Sequence, residues 1–408
     1  MVSAAFEYVP LRGYELRIGE PSHDPLSEAE LSSIWAGQKF PPEALMTPDG
    51  RAVRVLHPGR RVGGPGPDFR DAVVSVDGSE RRGDVELHVR ASAFRAHGHA
   101  TDAAYARLAL HVVYLADEGA ETPLALGGSV PVAAFAPWLQ ERSRELQSWL
   151  AAPDTWTEPC RDAVPRLGDE AVDAGLRRFG EERFQARVVR LADSVRRVGE
   201  EEALWRALLD ALGVGGDREG FRELSYNWPA SAARVSIDGL RADEAITSLT
   251  AGLTGMLRLD AKASASCRPA NRPERRLRAL ASLYVRAGGD LPAFARAGVA
   301  ASDRPSQLIA RWQVGGEPAL LGPERARELA VNAVLPFVAL DAFLRHKALA
   351  LLEQLPAGAG YGKTRFLEAN LKRPDGKRRV RGVLAQQGLL ALLNDWCSQS
   401  GCGRCPFS

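Results

Sequence analysis

Two short β-rich runs, residues 71–76 (DAVVSV) and 83–89 (GDVELHV), stand on either side of an Asp77-Gly78 pair. Such runs across an Asp-Gly dipeptide predict an antiparallel hairpin, a feature that forces at least part of this chain into a sheet. Side chains alternate along a strand, so Glu86 and His88 share one face while Val85, Leu87 and Val89 pack the other. Asp68, directly after Pro67, stands at the entrance to the first strand. The hairpin therefore gathers an Asp, a Glu and a His at one end of a sheet. Oxygen ligands of this kind suit Mg²⁺ or Mn²⁺, which hold a substrate phosphate and activate water.

The histidines concentrate in the same place. Four of the seven (His88, His97, His99, His111) fall within residues 66–111, and His57 lies just upstream. A His-x-His pair on a loop is a weak metal signal alone, but His97 and His99 gain weight beside Asp68 and Glu86. A helix-like segment with Asp102 and Tyr105 follows. Residues 107–115 (RLALHVVYL) read as a central strand whose His111 is more often a satisfied core group than a ligand. Residues 51–57 read as a first strand and 129–135 as an edge strand, with 116–128 rich in turns. Between the first strand and the hairpin, residues 60–66 form a Gly- and Pro-rich loop in which Arg60 and Arg61 are placed to pair with phosphate. Ahead of the sheet, residues up to about 25 are polar and Pro-punctuated, and Ser27 with Glu30 makes a capping box for a helix burying Leu31, Ile34 and Trp35.

From about residue 137 the apolar period changes to three and four, over 139–151, 171–198, 201–212 and 243–257, with a long stretch at 323–355 expected to kink at Pro336. The expected class is α+β: a mixed sheet flanked by helices in residues 1–136, then an all-α region in 137–408. The 408 residues carry a net charge of only +2, so nucleic-acid binding would depend on local patches. Two basic clusters are candidates, residues 268–278 and residues 372–381, the second presenting Lys377, Arg378 and Arg379 beside an exposed Pro-Asp-Gly turn.

The chain ends in Cys397-x4-Cys402-x2-Cys405 with glycines between. Three thiolates this close make a metal knuckle short of one ligand, for which Cys160 is the candidate and Cys267 the runner-up; Zn²⁺ or a [4Fe–4S] cluster would accept four. Five cysteines used this way fit a reducing cytoplasm. The first residues carry acidic groups and no continuous apolar core, so no secretory leader is expected, and no run is apolar enough for a membrane span.

Pro67-Asp68 followed by Glu86-Leu87-His88 resembles the PD-(D/E)XK nuclease superfamily, in which an Asp before or on one strand and a (D/E)-x-K on the next bind the catalytic metal. Here His88 replaces the lysine. The resemblance implies a restriction-endonuclease-like sheet, a metal held by Asp68 and Glu86, a role for His88 at the attacking water, and an assisting acid on a preceding helix, Glu28 or Glu30. Some nucleases of that superfamily carry an iron–sulfur staple with one distant and three C-terminal cysteines, a pattern similar to Cys160 with Cys397, Cys402 and Cys405. The GPDF, VELH, HGH and LHVV segments also resemble an uncharacterised bacterial family of unknown function, across most of the chain. Three readings follow: a metal-dependent nuclease of DNA or RNA, a non-catalytic nucleic-acid-binding or assembly protein with a degenerate core, and a zinc hydrolase using His88, His97, His99 and Glu86.

Overall fold

The computed structural model describes residues 25–140, 142–213, 217–259 and 271–408. The N-terminal segment, Cys267 and residues 268–270 of the first basic cluster lie outside them. The chain divides into two compact units, residues 1–163 with 392–408, and residues 164–391. The boundary expected at 136/137, where the apolar period changes, falls inside the first unit, which keeps the helices that follow the sheet and the cysteine-bearing C-terminus.

The first unit is built on a mixed sheet of seven strands among the described residues: β1 (Val53–His57), β2 (Arg60–Arg61), β3 (Phe69–Val76), β4 (Ser79–Arg90), β5 (Leu108–Leu115), β6 (Glu121–Pro123) and β7 (Ser129–Ala134). Their order is β1-β3-β4-β5-β7-β6, with β2 pairing β3. The expected hairpin is β3–β4, closed where Val76 faces Ser79, with Asp77 and Gly78 both at positive φ (50° and 80°). That is the type I′ geometry whose twist matches that of paired strands. β5 runs parallel to β4, and β7 parallel to β5. The stretch expected to be only turns contributes β6, which takes the edge, so β7 is interior.

Helix α1 (Glu28–Gly37) begins with the expected reciprocal cap: the Glu30 amide donates to Ser27 Oγ (3.3 Å) and the Ser27 amide to Glu30 Oε2 (2.7 Å). Its buried Leu31, Ile34 and Trp35 join Phe69, Val85, Leu87, Leu110 and Val112 in one core. Because β4 and β5 alternate, Glu86, His88 and His111 are turned to the opposite face, under α2 (Ala93–Ala96) and the turns that follow it.

The second unit is helical apart from isolated bridges among its described residues. Its core joins Leu204, Trp205, Leu280, Tyr284, Trp312 and Phe337. The helix Asp169–Val198 and the chain at 384–388 cross closely: a Cβ on Gly180 would meet Leu384 O at 2.0 Å, and one on Gly388 would meet Leu176 O at 1.9 Å. The 323–355 stretch departs from a single kinked helix. A π turn (Ala330–Val334) widens the backbone just before Pro336, which has no amide to donate, and the chain breaks again before the helix Arg345–Gln354.

The spacing of β4 against β5 depends on Gly83, where a Cβ would stand 2.2 Å from Arg107 O and 3.2 Å from Ala109 Cβ. Backbone cannot yield there without moving the strand that carries His111. Gly83→Ala is expected to cost about 1–3 kcal/mol, as for other overpacked interiors, read as a lower denaturant midpoint. An unchanged midpoint would refute this account of the β4–β5 spacing.

Candidate metal centre

Asp68 and Glu86 are tied together by the hairpin itself. The Asp68 amide donates to Glu86 Oε2 (3.0 Å), and the Leu87 amide donates to Asp68 Oδ2 (3.1 Å). The other Glu86 oxygen, Oε1, lies 3.3 Å from His99 Nε2 and 3.8 Å from His88 Nε2. His88, His97 and His99 each offer a ring nitrogen, and the three nitrogens all lie within 4.8 Å of one another. The loop bearing His-x-His is folded over the strand face that carries Glu86 and His88, and Phe94 packs edge-on to His88 (centroids 6.0 Å apart). Tyr105 stacks on His99 (4.2 Å between centroids) and its hydroxyl lies 3.4 Å from His99 Nε2.

Behind His88 runs a buried polar chain. His88 Nδ1 lies 3.0 Å from His111 Nε2, and His111 Nδ1 lies 2.8 Å from Thr122 Oγ1. If each imidazole donates from Nδ1, the chain ends on the Thr122 hydroxyl and His88 Nε2 keeps its lone pair toward Glu86, His97 and His99. This is how a histidine ligand is ordinarily oriented by groups behind it. His111 is thus a supporting residue, and Thr122 is a partner that sequence reasoning missed, because its three-residue strand contains Pro123 and is set among turn residues.

The electrostatics of the cluster favour neutral forms. Burial, then the charge of Asp68, pushes Glu86 up to about 8, and burial raises Asp68 as well. Burial and the neighbouring His111, His99 and His97 push His88 down to about 2, and burial pushes His111 down to about 3. Burial, then His97, lowers His99 too. Asp68 and Glu86 resist ionising, and His88, His99 and His111 resist protonating, so these groups do not neutralise one another by an internal ion pair. A divalent cation reverses the first tendency and uses the lone pairs preserved by the second. The donor set fits such an ion, and its imidazoles favour Mn²⁺ or Zn²⁺ over Mg²⁺. Of the two acids proposed on α1, Glu30 is used by the helix cap, whereas the charge of Glu28 acts on Glu86.

The remaining expected residues separate. Arg60 donates to Asp71 Oδ2 (2.6 Å) and to Cys397 O, so it holds the C-terminal segment, while exposed Arg61 acts on Asp68. Arg379 is buried and pairs with Asp173 (2.6 Å) and Asp169, whereas Lys377 and Arg378 are exposed. Within the first basic cluster, Arg276 is buried against Asp217. Asp71 and Asp84 carry no motif that singles them out in the sequence. Asp71, at φ 62°, donates its amide to the buried Asp84 carboxylate (3.1 Å) at a bulge in the hairpin.

The fold places Cys160 within electrostatic range of Cys397, Cys402 and Cys405, but among the described residues no three of these thiols lie within 4.8 Å of one another. Cys397, Cys402 and Cys405 return to the sheet-bearing unit, where Arg82 donates to Ser400 O and Arg404 pairs with Glu80 at 2.6 Å. Burial, then Glu158 and the three C-terminal thiols, pushes Cys160 up to about 12; Cys397 rises to about 11 and Cys402 to about 12, in each case chiefly by burial. His57, Glu158 and Cys402 also converge within 4.8 Å. Both His57 nitrogens are engaged there, Nδ1 by the Gly59 amide (3.0 Å) and Nε2 by Glu158 (2.8 Å).

A sheet face that gathers a carboxylate and imidazoles, with a cysteine-bearing segment in the same unit, defines a mixed α+β protein with one candidate metal centre at His88, His97 and His99 beside Glu86. The model of a family of proteins of unknown function, DUF2851, matches residues 28–266, more than half of the chain, and the chain belongs to that family. No curated protein and no solved structure matches it. Among the described residues, no helix is long and apolar enough to cross a membrane.

The raised Glu86 has a measurable consequence. It takes up its proton near pH 8 in the fold and near 4.5 when unfolded, so the native state binds more protons between these values and this group destabilises the fold as pH rises from 4.5 to 8. Without divalent metal at pH 8, Glu86→Gln is expected to melt several degrees above the unsubstituted protein, on the order of a few kcal/mol, with the gap closing near pH 4. Added Mn²⁺ should raise the melting temperature only where Glu86 is present. Equal melting temperatures at pH 8 would show that Glu86 ionises there without cost.

Proposed function

We propose that the protein is a divalent-metal-dependent nuclease hydrolysing phosphodiester bonds of DNA or RNA. The observation that carries this reading is the joining of Asp68 and Glu86 across the hairpin, with Glu86 Oε1 facing His99 and His88. This reading rests on the resemblance to the PD-(D/E)XK superfamily, with Asp68 just before one strand and Glu86 on the next, and with His88 in place of the lysine. Bound at Asp68 and Glu86, Mn²⁺ or Mg²⁺ supplies Lewis acidity to a phosphoryl oxygen and lowers the pKa of a water.

The chain's own groups do the rest. His88, neutral and fixed through His111 and Thr122, keeps an unprotonated nitrogen in the position the superfamily gives to lysine, and serves as a ligand or an orienting acceptor where a lysine serves as a fixed charge. Tyr105 orients His99 by stacking. Arg61, exposed near Asp68, meets the scissile phosphate or its neighbour as a bidentate donor. Asp68→Ala and Glu86→Gln are expected to lower Mn²⁺-dependent cleavage of labelled DNA or RNA by about a thousandfold or more, while the fold is kept. Contaminant-free wild-type protein that cleaves no nucleic acid with any divalent ion would end the nuclease reading and leave the non-catalytic one.

The clustering of three imidazole nitrogens favours a second reading, a zinc-dependent hydrolase ligated by His88, His97 and His99. Tightly held zinc that His97→Ala and His99→Ala release, with activity toward an ester or amide and none toward nucleic acid, would select it.

Cys160, Cys397, Cys402 and Cys405 are proposed to hold a structural Zn²⁺ or [4Fe–4S] cluster. The raised thiol pKa values are those of groups that a metal must deprotonate, and such a site contributes on the order of 10 kcal/mol of apparent binding to folding. Anaerobically purified protein is expected to contain zinc or iron with sulfide, and Cys160→Ser to lose it together with thermal stability. Neither metal in the intact protein would refute the centre.

A further inference from the structure

The helical unit contains a concavity of about 950 Å³ whose wall is dominated by arginine. Eight cationic side chains line it against three carboxylates, and two more carboxylates beside the wall, Glu202 and Glu219, pair with Arg206 (2.6 Å) and Arg222 (2.7 Å), so a positive excess remains although the whole chain is nearly neutral. Three of them, Arg183, Arg187 and Arg190, follow the i, i+4, i+7 spacing on the helix Asp169–Val198 and form one stripe. Arg218 and Arg222, an i, i+4 pair on the helix Arg218–Asn227, line the same space. Asp210 is shared between these two, at 2.8 Å and 3.3 Å. Glu328 accepts from Tyr361 Oη (2.6 Å), and Glu324 pairs with Arg327 (2.8 Å).

Holding these cations together has a cost. Arg183 and Arg187 both donate to the neutral Gln387 Oε1, at 3.1 Å each. Burial and the flanking Arg183 and Arg190 push Arg187 down to about 9, and Lys363 is lowered by burial, Arg183 and Arg218. A guanidinium stays protonated under such pressure, and the part of the depression that comes from the neighbouring arginines is one that an entering anion would relieve. At the rim, Tyr226 is 61% exposed and lies under the Arg206 guanidinium, 4.5 Å from ring centroid to Cζ. An exposed aromatic ring beside arginines is the combination on which bases stack while phosphates are held.

We propose that this concavity is a binding site for single-stranded nucleic acid, with the Arg183–Arg187–Arg190 stripe holding the phosphodiester backbone and Tyr226 stacking a base. A sphere of this volume is about 12 Å across, no wider than the major groove of a duplex, so a duplex does not enter. An acidic peptide would satisfy the arginines and leave Tyr226 unused. The site lies wholly in the helical unit and does not depend on the catalytic assignment of Asp68 and Glu86.

The test uses full-length protein carrying Glu86→Gln, so that the probe survives, and the anisotropy of a fluorescein-labelled oligo-dT strand. Arg187→Gln with Arg190→Gln is expected to weaken binding at least about tenfold and to reduce the slope of log K against log salt by about 0.7 for each phosphate no longer neutralised. Arg187→Lys with Arg190→Lys should retain most of the affinity, which separates a missing charge from a damaged fold. Tyr226→Ala, at an exposed position, should weaken binding roughly tenfold with an unchanged melting temperature. Glutamine variants that bind the strand like the parent would overturn the proposal. So would displacement of the strand by polyglutamate, or by ATP, as readily as by unlabelled oligonucleotide, the ATP result pointing to a free-nucleotide site. Cleavage failing in the wild type while these binding results hold would remove the nuclease reading alone.

Discussion

The parallel pairing of β4 with β5 is the constraint on which the first unit depends. Val85 and Leu87 on one strand, with Leu110 and Val112 on the other, enter a single core, and that choice turns Glu86, His88 and His111 together to the opposite face. A slip of β4 by one residue would exchange its two sets, placing the Glu86 carboxylate and the His88 imidazole among leucines. The cost of that exchange exceeds anything the polar face could recover, since a buried unpaired charge costs more than a buried methyl group gains. Apolar packing therefore sets the geometry of the polar cluster, and the cluster need contribute nothing to the stability of the fold.

That separation accounts for the electrostatic state of the candidate centre. A group selected for stability would be paired so as to ease its charge, as Glu158 is beside His57, where the pKa is held below the ordinary carboxylate value. Glu86 is displaced upward, and His88, His99 and His111 downward, each away from its charged form. Perturbed groups of opposite type gathered at one place are more often found where chemistry or ligation occurs than where structure alone is served. The polar chain from His88 through His111 to Thr122 adds to this, because buried imidazoles gain a defined tautomer only when their outer nitrogens are engaged.

How much of this was legible in the sequence follows from the range of each interaction. The hairpin, its Asp77-Gly78 turn and the Ser27–Glu30 cap are local, and their spacing is diagnostic on its own. The joining of Asp68 to Glu86 was legible for the same reason, since a hairpin carries distant numbers into register. The strand β6 was not, because three residues with a proline have no period to detect and form a strand only by pairing with β7. Charge was the least legible property. Arg276 and Arg379 stand in runs that read as solvated faces, yet each is buried against carboxylates far away in sequence: Asp217 for Arg276, Asp169 and Asp173 for Arg379.

The arginine stripe on Asp169–Val198 shows the converse. It follows directly on Glu181 and Glu182 in a helix whose earlier turn carries the pattern of an ordinary exposed helix laced by i, i+4 pairs, two of which do form, between Arg177 and Glu181 and between Arg178 and Glu182. The difference lies in which helical face each arginine occupies. Arg177 and Arg178 face their glutamates in solvent, whereas Arg183 and Arg187 point into a wall shared with Arg218 and Lys363, where the neighbouring field is positive. An arginine whose role was only solubility would sit on the first face, where a carboxylate one turn away neutralises it at little cost. Turning Arg183, Arg187 and Arg190 toward other cations raises the energy of the free protein, an energy that an entering anion would recover, which is why the proposed binding site is placed there.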